Sequence, residues 1–242
     1  MTDGWQPPSR GALDDTPWPE TLIARATDSS DATDDRLFGY AVLGDVAANY
    51  GFSDAVYLSI VGELPTPEQG RIFALAMTAA APVPVLEASA HTAVLARLSG
   101  STIPSTLGAS MLVVGDRTRV MLEANEAFLR WLDAPNGPPP VAVPTSPWVE
   151  ALFAAARLEL PTTLPRDAAL LALFHTAGVR TREQLEAALM IARITGVAAE
   201  ALQTGPQHLP LYPVKVPEFR YEGGTGEVCD SMPTGGVTDL RK

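Results

Sequence analysis

Residues 88–98 read Ala88-Ser89-Ala90-His91-Thr92-Ala93-Val94-Leu95-Ala96-Arg97-Leu98. After the break Gly100-Ser101-Thr102-Ile103-Pro104 the chain resumes as Ser105-Thr106-Leu107-Gly108-Ala109-Ser110-Met111-Leu112-Val113-Val114. Both runs are helical in pattern, and both carry too few charges to be surface helices. Alanine, glycine and serine let backbones approach closely. These two helices are therefore expected at the centre of a helical protein or at a subunit interface. Gly115-Asp116-Arg117 then reads as a junction. Gly115 is expected to supply a left-handed stop, and Asp116 to cap a third helix through its carboxylate. In that third helix Met121, Ala124, Phe128 and the pair Trp131/Leu132 recur at the spacing of one amphipathic face.

The whole-chain totals fit this reading. The chain has 242 residues, 46% apolar and 19% charged, which is a globular composition with room for a large core. A formal charge of −11 argues against nucleic acid or an anionic membrane as partner, although a local group of arginines can still hold one anionic ligand. The single cysteine, Cys229, excludes an internal disulfide. The N-terminus lacks a basic-then-apolar signal pattern, and no apolar run reaches the roughly 18–20 residues of a membrane helix. A cytoplasmic protein is expected.

Outward from the central helices, residues 1–20 carry Pro7, Pro8, Pro17 and Pro19 and read as an arm. Residues 21–27 suit a short strand, followed by a polar turn over 28–35 and so a small hairpin. From Tyr40 the pattern becomes helical, with Val42, Leu43, Val46 and Ala47 on one face and Ser53 or Asp54 available to cap the next helix. Gly62-Glu63-Leu64-Pro65 stops that one. Thr66, Pro67 and Gln69 then form the start of another, in a capping-box arrangement that runs on to the Pro82/Pro84 break. Six prolines between positions 135 and 147 make a linker or truncated loop. Short helices follow over 148–157 and 166–177. Thr181 caps a long helix to about Leu202, whose apolar positions Leu185, Leu189, Ala192, Val197 and Ala201 drift around the cylinder, so both sides are expected to pack. Prolines 206, 210, 213 and 217 enforce an extended path, and the last twenty residues are Gly-rich and polar.

The segment from Phe52 to Thr66, with Gly62-Glu63-Leu64-Pro65-Thr66 at its end, resembles a stretch of the citrate synthase superfamily that follows an Arg-Gly-Tyr turn. Gly39-Tyr40 match that turn, with Phe38 in place of its arginine. Ser89-Ala90-His91-Thr92 through Gly115-Asp116-Arg117 is similar to the citryl-CoA lyase branch, which includes the C-terminal module of ATP citrate lyase and starts a helix at a "GDRFGGA" turn. Pro165-Arg166-Asp167-Ala168-Ala169-Leu170 resembles the family's "NVDG" segment, Arg193-Ile194-Thr195-Gly196 its "RxxG" helix, and Tyr221-Glu222-Gly223 its closing "Y-x-G". The matches fall in family order. The resemblance implies an all-α fold with a helical large domain (21–134 and 181–221), a reduced small domain (135–180), an N-terminal arm (1–20) and a flexible C-terminal tail (222–242).

Enzymes of this family make or break the bond between a thioester's α-carbon and a ketone carbon. That chemistry needs a carboxylate to move the α-proton, neutral donors for the developing enolate and the ketone, and arginines for substrate carboxylates. The resemblance assigns the carboxylate to Asp167, and the alternative is that Asp167 is a helix N-cap. It assigns substrate carboxylates to Arg193, with Arg117 and Arg119 beside it. A buried arginine needs an anionic partner, so a structural salt bridge is the alternative for Arg193. No cofactor is implied: an acyl-CoA enters as a substrate, and no Cys/His spacing suggests a metal site. The resemblance also implies a homodimer, or a hetero-oligomer with a paralogue.

Several family features are missing. Arg119 and Val120 replace the glycines after "GDR", and their side chains are expected to occupy space that a ligand would use. The "GxGH" loop with its histidine has no counterpart; the proline-rich 135–147 segment stands in its place. Glu200 replaces the histidine expected after "RxxG", and near Val216-Pro217 only Lys215 stands for a partner-chain arginine. Of the three histidines, His91 is expected in the core, His175 suits a helix C-terminus, and His208 lies in the proline-rich tail. The sequence therefore leaves two functions open. One is a diverged enzyme acting on an acyl-CoA or small carboxylate; the other is a non-catalytic binding or regulatory subunit.

Overall fold

The computed structural model describes residues 34–140, 146–159 and 164–205, together with the backbone of 23–24. The arm over 1–20, the tail over 222–242, Tyr221-Glu222-Gly223, Lys215, His208 and Cys229 lie outside the described residues.

The described chain begins with a small antiparallel sheet, β1 (Ile23–Ala24), β2 (Arg36–Leu37) and β3 (Tyr40–Ala41), in the order β1-β2-β3. Phe38 and Gly39 both have positive φ, 52° and 85°, and close the β2–β3 hairpin. Such a pair is typical of a two-residue hairpin turn. The helix expected from Tyr40 starts later: Tyr40 and Ala41 are strand, and Val42–Ala47 is a π-helical turn. Its expected apolar face is also absent, because only Val46 is buried and Leu43 is 68% exposed. Side-chain oxygens explain the shift. The Asp34 carboxylate accepts from the Leu43 and Gly44 amides, and the Asp45 carboxylate from the Ala41 amide. These bonds stabilise a tight turn over a regular helix start.

Eight α-helices follow. α1 (Phe52–Val61) is capped by Gly51, whose amide donates to the Asp54 carboxylate, so Asp54 reaches back and is not itself the cap. Gly62 ends α1 in the left-handed region, and Thr66 with Gln69 starts α2 (Pro67–Ala80) through the reciprocal bonds of a capping box. α3 is Ala88–Leu98. α4 runs unbroken over Ile103–Ala124, capped by Thr102, which overturns the expected stop at Gly115. Gly115 is a mid-helix residue, and a Cβ there would lie 3.4 Å from Met190 Cε. That is ordinary van der Waals contact, so the helix continues through this glycine without depending on it. The break comes instead at Asn125, whose side chain donates to the Met121 carbonyl, and α5 (Glu126–Asp133) follows. α6 (Pro147–Ala156), α7 (Arg166–Thr176) and α8 (Arg182–Gln203) complete the set, α8 with a second capping box from Thr181 and Gln184.

The core has two parts. The larger joins α1, α2, α5, α6, α7, the C-terminal end of α4 and the N-terminal half of α8. Phe73 at its centre meets Tyr57 and Phe174 edge-on, with ring centroids 5.2 and 5.8 Å away. The smaller lies among α3, α4 and the C-terminal half of α8, with Val83, Ala90, Ala93, Val114, Val197 and Ala201 buried in it. α4 and α8 contribute to both cores, which accounts for the drifting apolar pattern of α8. Buried residues of α6 and α7, in the segment read as a reduced small domain, belong to the larger core. Among the described residues no helix is long and apolar enough to cross a membrane.

Candidate functional site

The seam between the two cores holds a small cleft of about 70 Å³, lined by Glu87, Arg117, Thr118, Met121, Asp167 and Arg193. Four segments build it. Glu87 sits just before α3 and presents its side chain from a turn closed by its amide on the Pro84 carbonyl, 2.8 Å away. Arg117, Thr118 and Met121 belong to the C-terminal half of α4, Asp167 to the first turn of α7, and Arg193 to the middle of α8.

The packing that brings Glu87 to Arg193 is set by Gly196, one turn along α8. A Cβ at Gly196 would overlap the Ala81 carbonyl oxygen and lie 3.0 Å from the Val83 amide nitrogen. Only glycine lets the backbone between α2 and α3 lie directly on α8. The arginine and the glycine of Arg193-Ile194-Thr195-Gly196 thus have linked tasks. One carries charge into the cleft, and the other admits the segment that ends in Glu87.

Arg193 is 13% exposed and forms an ion pair with Glu87, which is 20% exposed. Ser89 donates to the same Glu87 oxygen over 3.4 Å. Two buried polar atoms at the cleft have no partner: Arg193 Nε and Thr118 Oγ1. Such atoms are costly to bury unsatisfied, so each is available to a small polar ligand or a water. Arg117 and Asp167 are exposed at the rim. Asp167 does not cap its helix, because Pro165 holds the N-cap position. Its carboxylate stands in the first turn, where the helix dipole favours negative charge.

The structure thus gathers Arg117, Asp167 and Arg193 in one cleft and leaves Arg119 out. Arg119 turns to the surface and pairs with Asp116 at 2.7 Å and Glu123 at 3.0 Å. These carboxylates raise its pKa, Asp116 first, and so hold it in the charged form. Val120 is 40% exposed. Neither side chain fills the cleft, contrary to the expectation from the missing glycines; Thr118 and Met121 line it instead. His91, expected in the core, is exposed on α3. His175, in the last turn of α7, meets Asp133 at 2.9 Å. Glu87 was not legible as a site residue. Its one signal is an isolated acid between apolar Leu86 and the small-residue helix.

A larger surface groove, about 390 Å³, lies between the starts of α1 and α2 and is lined by residues including Tyr50, Asp54, Thr66 and Arg71. Its charges are already engaged. Asp54 holds the Gly51 amide, and Arg71 donates to the carbonyls of Ala155 and Ala156. The smaller cleft, by contrast, holds two polar atoms without a partner, Arg193 Nε and Thr118 Oγ1. Among the described residues no group of three or more His, Cys, Asp or Glu side chains is placed to hold a metal ion.

No family model matches this sequence, and no curated protein matches it by sequence. Solved structures do. The citryl-CoA lyase of Hydrogenobacter thermophilus is 18% identical, with a TM-score of 0.59 over 86% of this chain and 96% of that one. The ATP citrate lyase of Methanothrix soehngenii, solved with citrate and coenzyme A, is 16% identical, with a TM-score of 0.55 over 86% of this chain. A variant of the Methanosaeta concilii ATP citrate lyase, solved with (3S)-citryl-CoA, is 14% identical, with a TM-score of 0.53 over 88% of this chain. This chain spans 42% of each ATP citrate lyase chain. The chain therefore has an all-α, citrate synthase-like fold similar to that of these citryl-CoA lyase and ATP citrate lyase structures.

Proposed function

We propose that this chain, with its citryl-CoA lyase-like fold, binds a small carboxylate or an acyl-CoA in the cleft between α4, α7 and α8 and acts on it as a diverged carbon–carbon lyase or synthase. The observation that carries this reading is the cleft itself. Two arginines, two carboxylates and an unpaired buried hydroxyl meet there from elements far apart in sequence. Arg193 and Arg117 take the ligand's carboxylate, and Asp167 moves a proton at the carbon next to the thioester. Side-chain proton transfer of this kind uses neither metal nor organic cofactor. The second reading, a binding or regulatory subunit without turnover, is favoured by one observation: among the described residues no histidine lines the cleft, and the Thr118 hydroxyl is the one neutral side-chain donor there. In either case the chain works as a homodimer, or beside an active paralogue, through the outward faces of α3 and α4. Leu95 there is 50% exposed and Leu112 78% exposed.

A thermal-shift screen of di- and tricarboxylates and acyl-CoAs tests the binding. A ligand specific to the folded protein stabilises it by about 2.7 kcal/mol at a hundred times its dissociation constant. At least one hit is expected. It should weaken in Arg193→Ala and, to a smaller extent, in Asp167→Asn. Hits that ignore Arg193, or no hits at all, would make the arginine purely structural and sink this reading.

A further inference from the structure

We infer that Glu87 is an internal carboxylate that occupies Arg193 in place of a ligand and sets the specificity of the cleft. This rests on the reading above, in which the cleft is the ligand site. Three observations lead to it. Glu87 carries the functional group expected of the ligand, and it sits on the arginine expected to receive that ligand. Among the described residues the cleft is also charge-neutral, with Glu87 and Asp167 balancing Arg117 and Arg193. A site with no net positive charge has no general attraction for free polycarboxylates. Finally, its volume of about 70 Å³ holds a few waters or one carboxylate-sized group. Pockets for whole organic ligands are typically about 300–1,000 Å³.

The surroundings suit a carboxylate held in place but able to leave. Ser89 steadies one Glu87 oxygen at the long distance of 3.4 Å, a weak bond. The segment before it exposes Val85 and Leu86, the latter at 93%, so the turn is packed from one side only. Val83 and Gly196 anchor its near end. A ligand carboxylate reaches Arg193 by displacing Glu87. The displaced side chain moves toward solvent, while the incoming group gains the guanidinium and the two unpaired donors, Arg193 Nε and Thr118 Oγ1. Wild-type protein therefore holds citrate back. A ligand whose other parts add binding energy, such as a CoA thioester, overcomes the competition.

The test is calorimetric titration, with citrate and separately with acetyl-CoA, of wild-type protein, Glu87→Gln, Arg193→Gln and the double variant. Glu87→Gln is expected to bind citrate at least tenfold more tightly than wild type, and the double variant to lose that gain. If Glu87→Gln binds citrate no more tightly while Arg193→Gln still weakens acyl-CoA binding, the plug is wrong and the site reading survives. If neither citrate nor acetyl-CoA binds any of the four proteins, both fall. Should Glu87→Gln fail to fold, a wild-type structure at saturating citrate decides the question. A citrate carboxylate on Arg193 with Glu87 swung away supports the inference, and Glu87 still seated on Arg193 overturns it.

Discussion

Replacing Gly196 by alanine sets two effects of known sign against each other. Gly196 lies inside α8, where alanine is favoured over glycine by about 0.8–1.0 kcal/mol on helix propensity alone. The structure predicts the opposite outcome. The new Cβ would overlap the Ala81 carbonyl oxygen, with the Val83 nitrogen at 3.0 Å and the Ala81 carbonyl carbon at 3.3 Å. All three are backbone atoms, so no side-chain rotation relieves the overlap. The strap holding Pro82 and Pro84 must lift from α8 or α8 must shift. Overpacking costs about 1–3 kcal/mol, and a backbone obstacle puts this site at the upper end. After the propensity gain, a net loss of about 1–2 kcal/mol remains. For a chain of this size that corresponds to a fall in melting temperature of roughly 2–8 °C. Gly115→Ala is the matched control. Its Cβ meets only the flexible end of Met190, at 3.4 and 3.7 Å, so it should gain up to about 1 kcal/mol. Urea and thermal unfolding followed by circular dichroism measure both. A neutral or stabilising Gly196→Ala would refute the close approach, and with it the account of how Glu87 is delivered to Arg193.

Ala109→Arg places a long charge on the exposed face of α4 and should convert a dimer to monomers without unfolding either; light scattering that reports the same mass for both proteins would remove α4 from the interface. Citryl-CoA cleavage and citrate formation should be absent or very slow. Loss of one donor in such a site costs about 10²–10³ in rate, and robust turnover by purified protein would show that another group has taken the donor role. Tyr57 donates its hydroxyl to the Ala177 carbonyl at 2.9 Å. Its pKa is raised above the ordinary tyrosine value of about 10, first by burial and then by Glu63, against the opposing Arg180. The folded state thus keeps this proton after the unfolded chain has lost it. Its contribution is full below pH 10 and is lost as pH rises through the raised value. Tyr57→Phe should lose about 1 kcal/mol at neutral pH and show a flatter alkaline decline, and an unchanged slope would contradict the assignment.

The sequence by itself determined what depends on neighbours along the chain. Thr66 with Gln69 and Thr181 with Gln184 announced two helix starts, because a capping box is complete within four residues. Gly62 announced a helix end for the same reason. The drifting apolar positions of α8 gave a helix packed on both sides, since periodicity records burial whatever the partner is. The resemblance to the citrate synthase superfamily then grouped Arg117, Arg119, Asp167 and Arg193. The tertiary structure decided the remainder. Whether Gly115 stops a helix or lies within one is not set by its neighbours along the chain; in the fold, α4 runs through it from the Thr102 cap to Asn125. Arg119 and Val120 read as ligand-facing in sequence. Their direction follows from the rotation of α4, which the contacts with α3 and α8 fix, and it turns Arg119 to Asp116 and Glu123. His91 fits an apolar run, yet the same rotation rule for α3 leaves it in solvent. Glu87 is the clearest case. Its pairing with Arg193 joins elements more than a hundred residues apart. It exists only because Gly196 lets one stretch of backbone rest directly on another, and no local pattern encodes that contact.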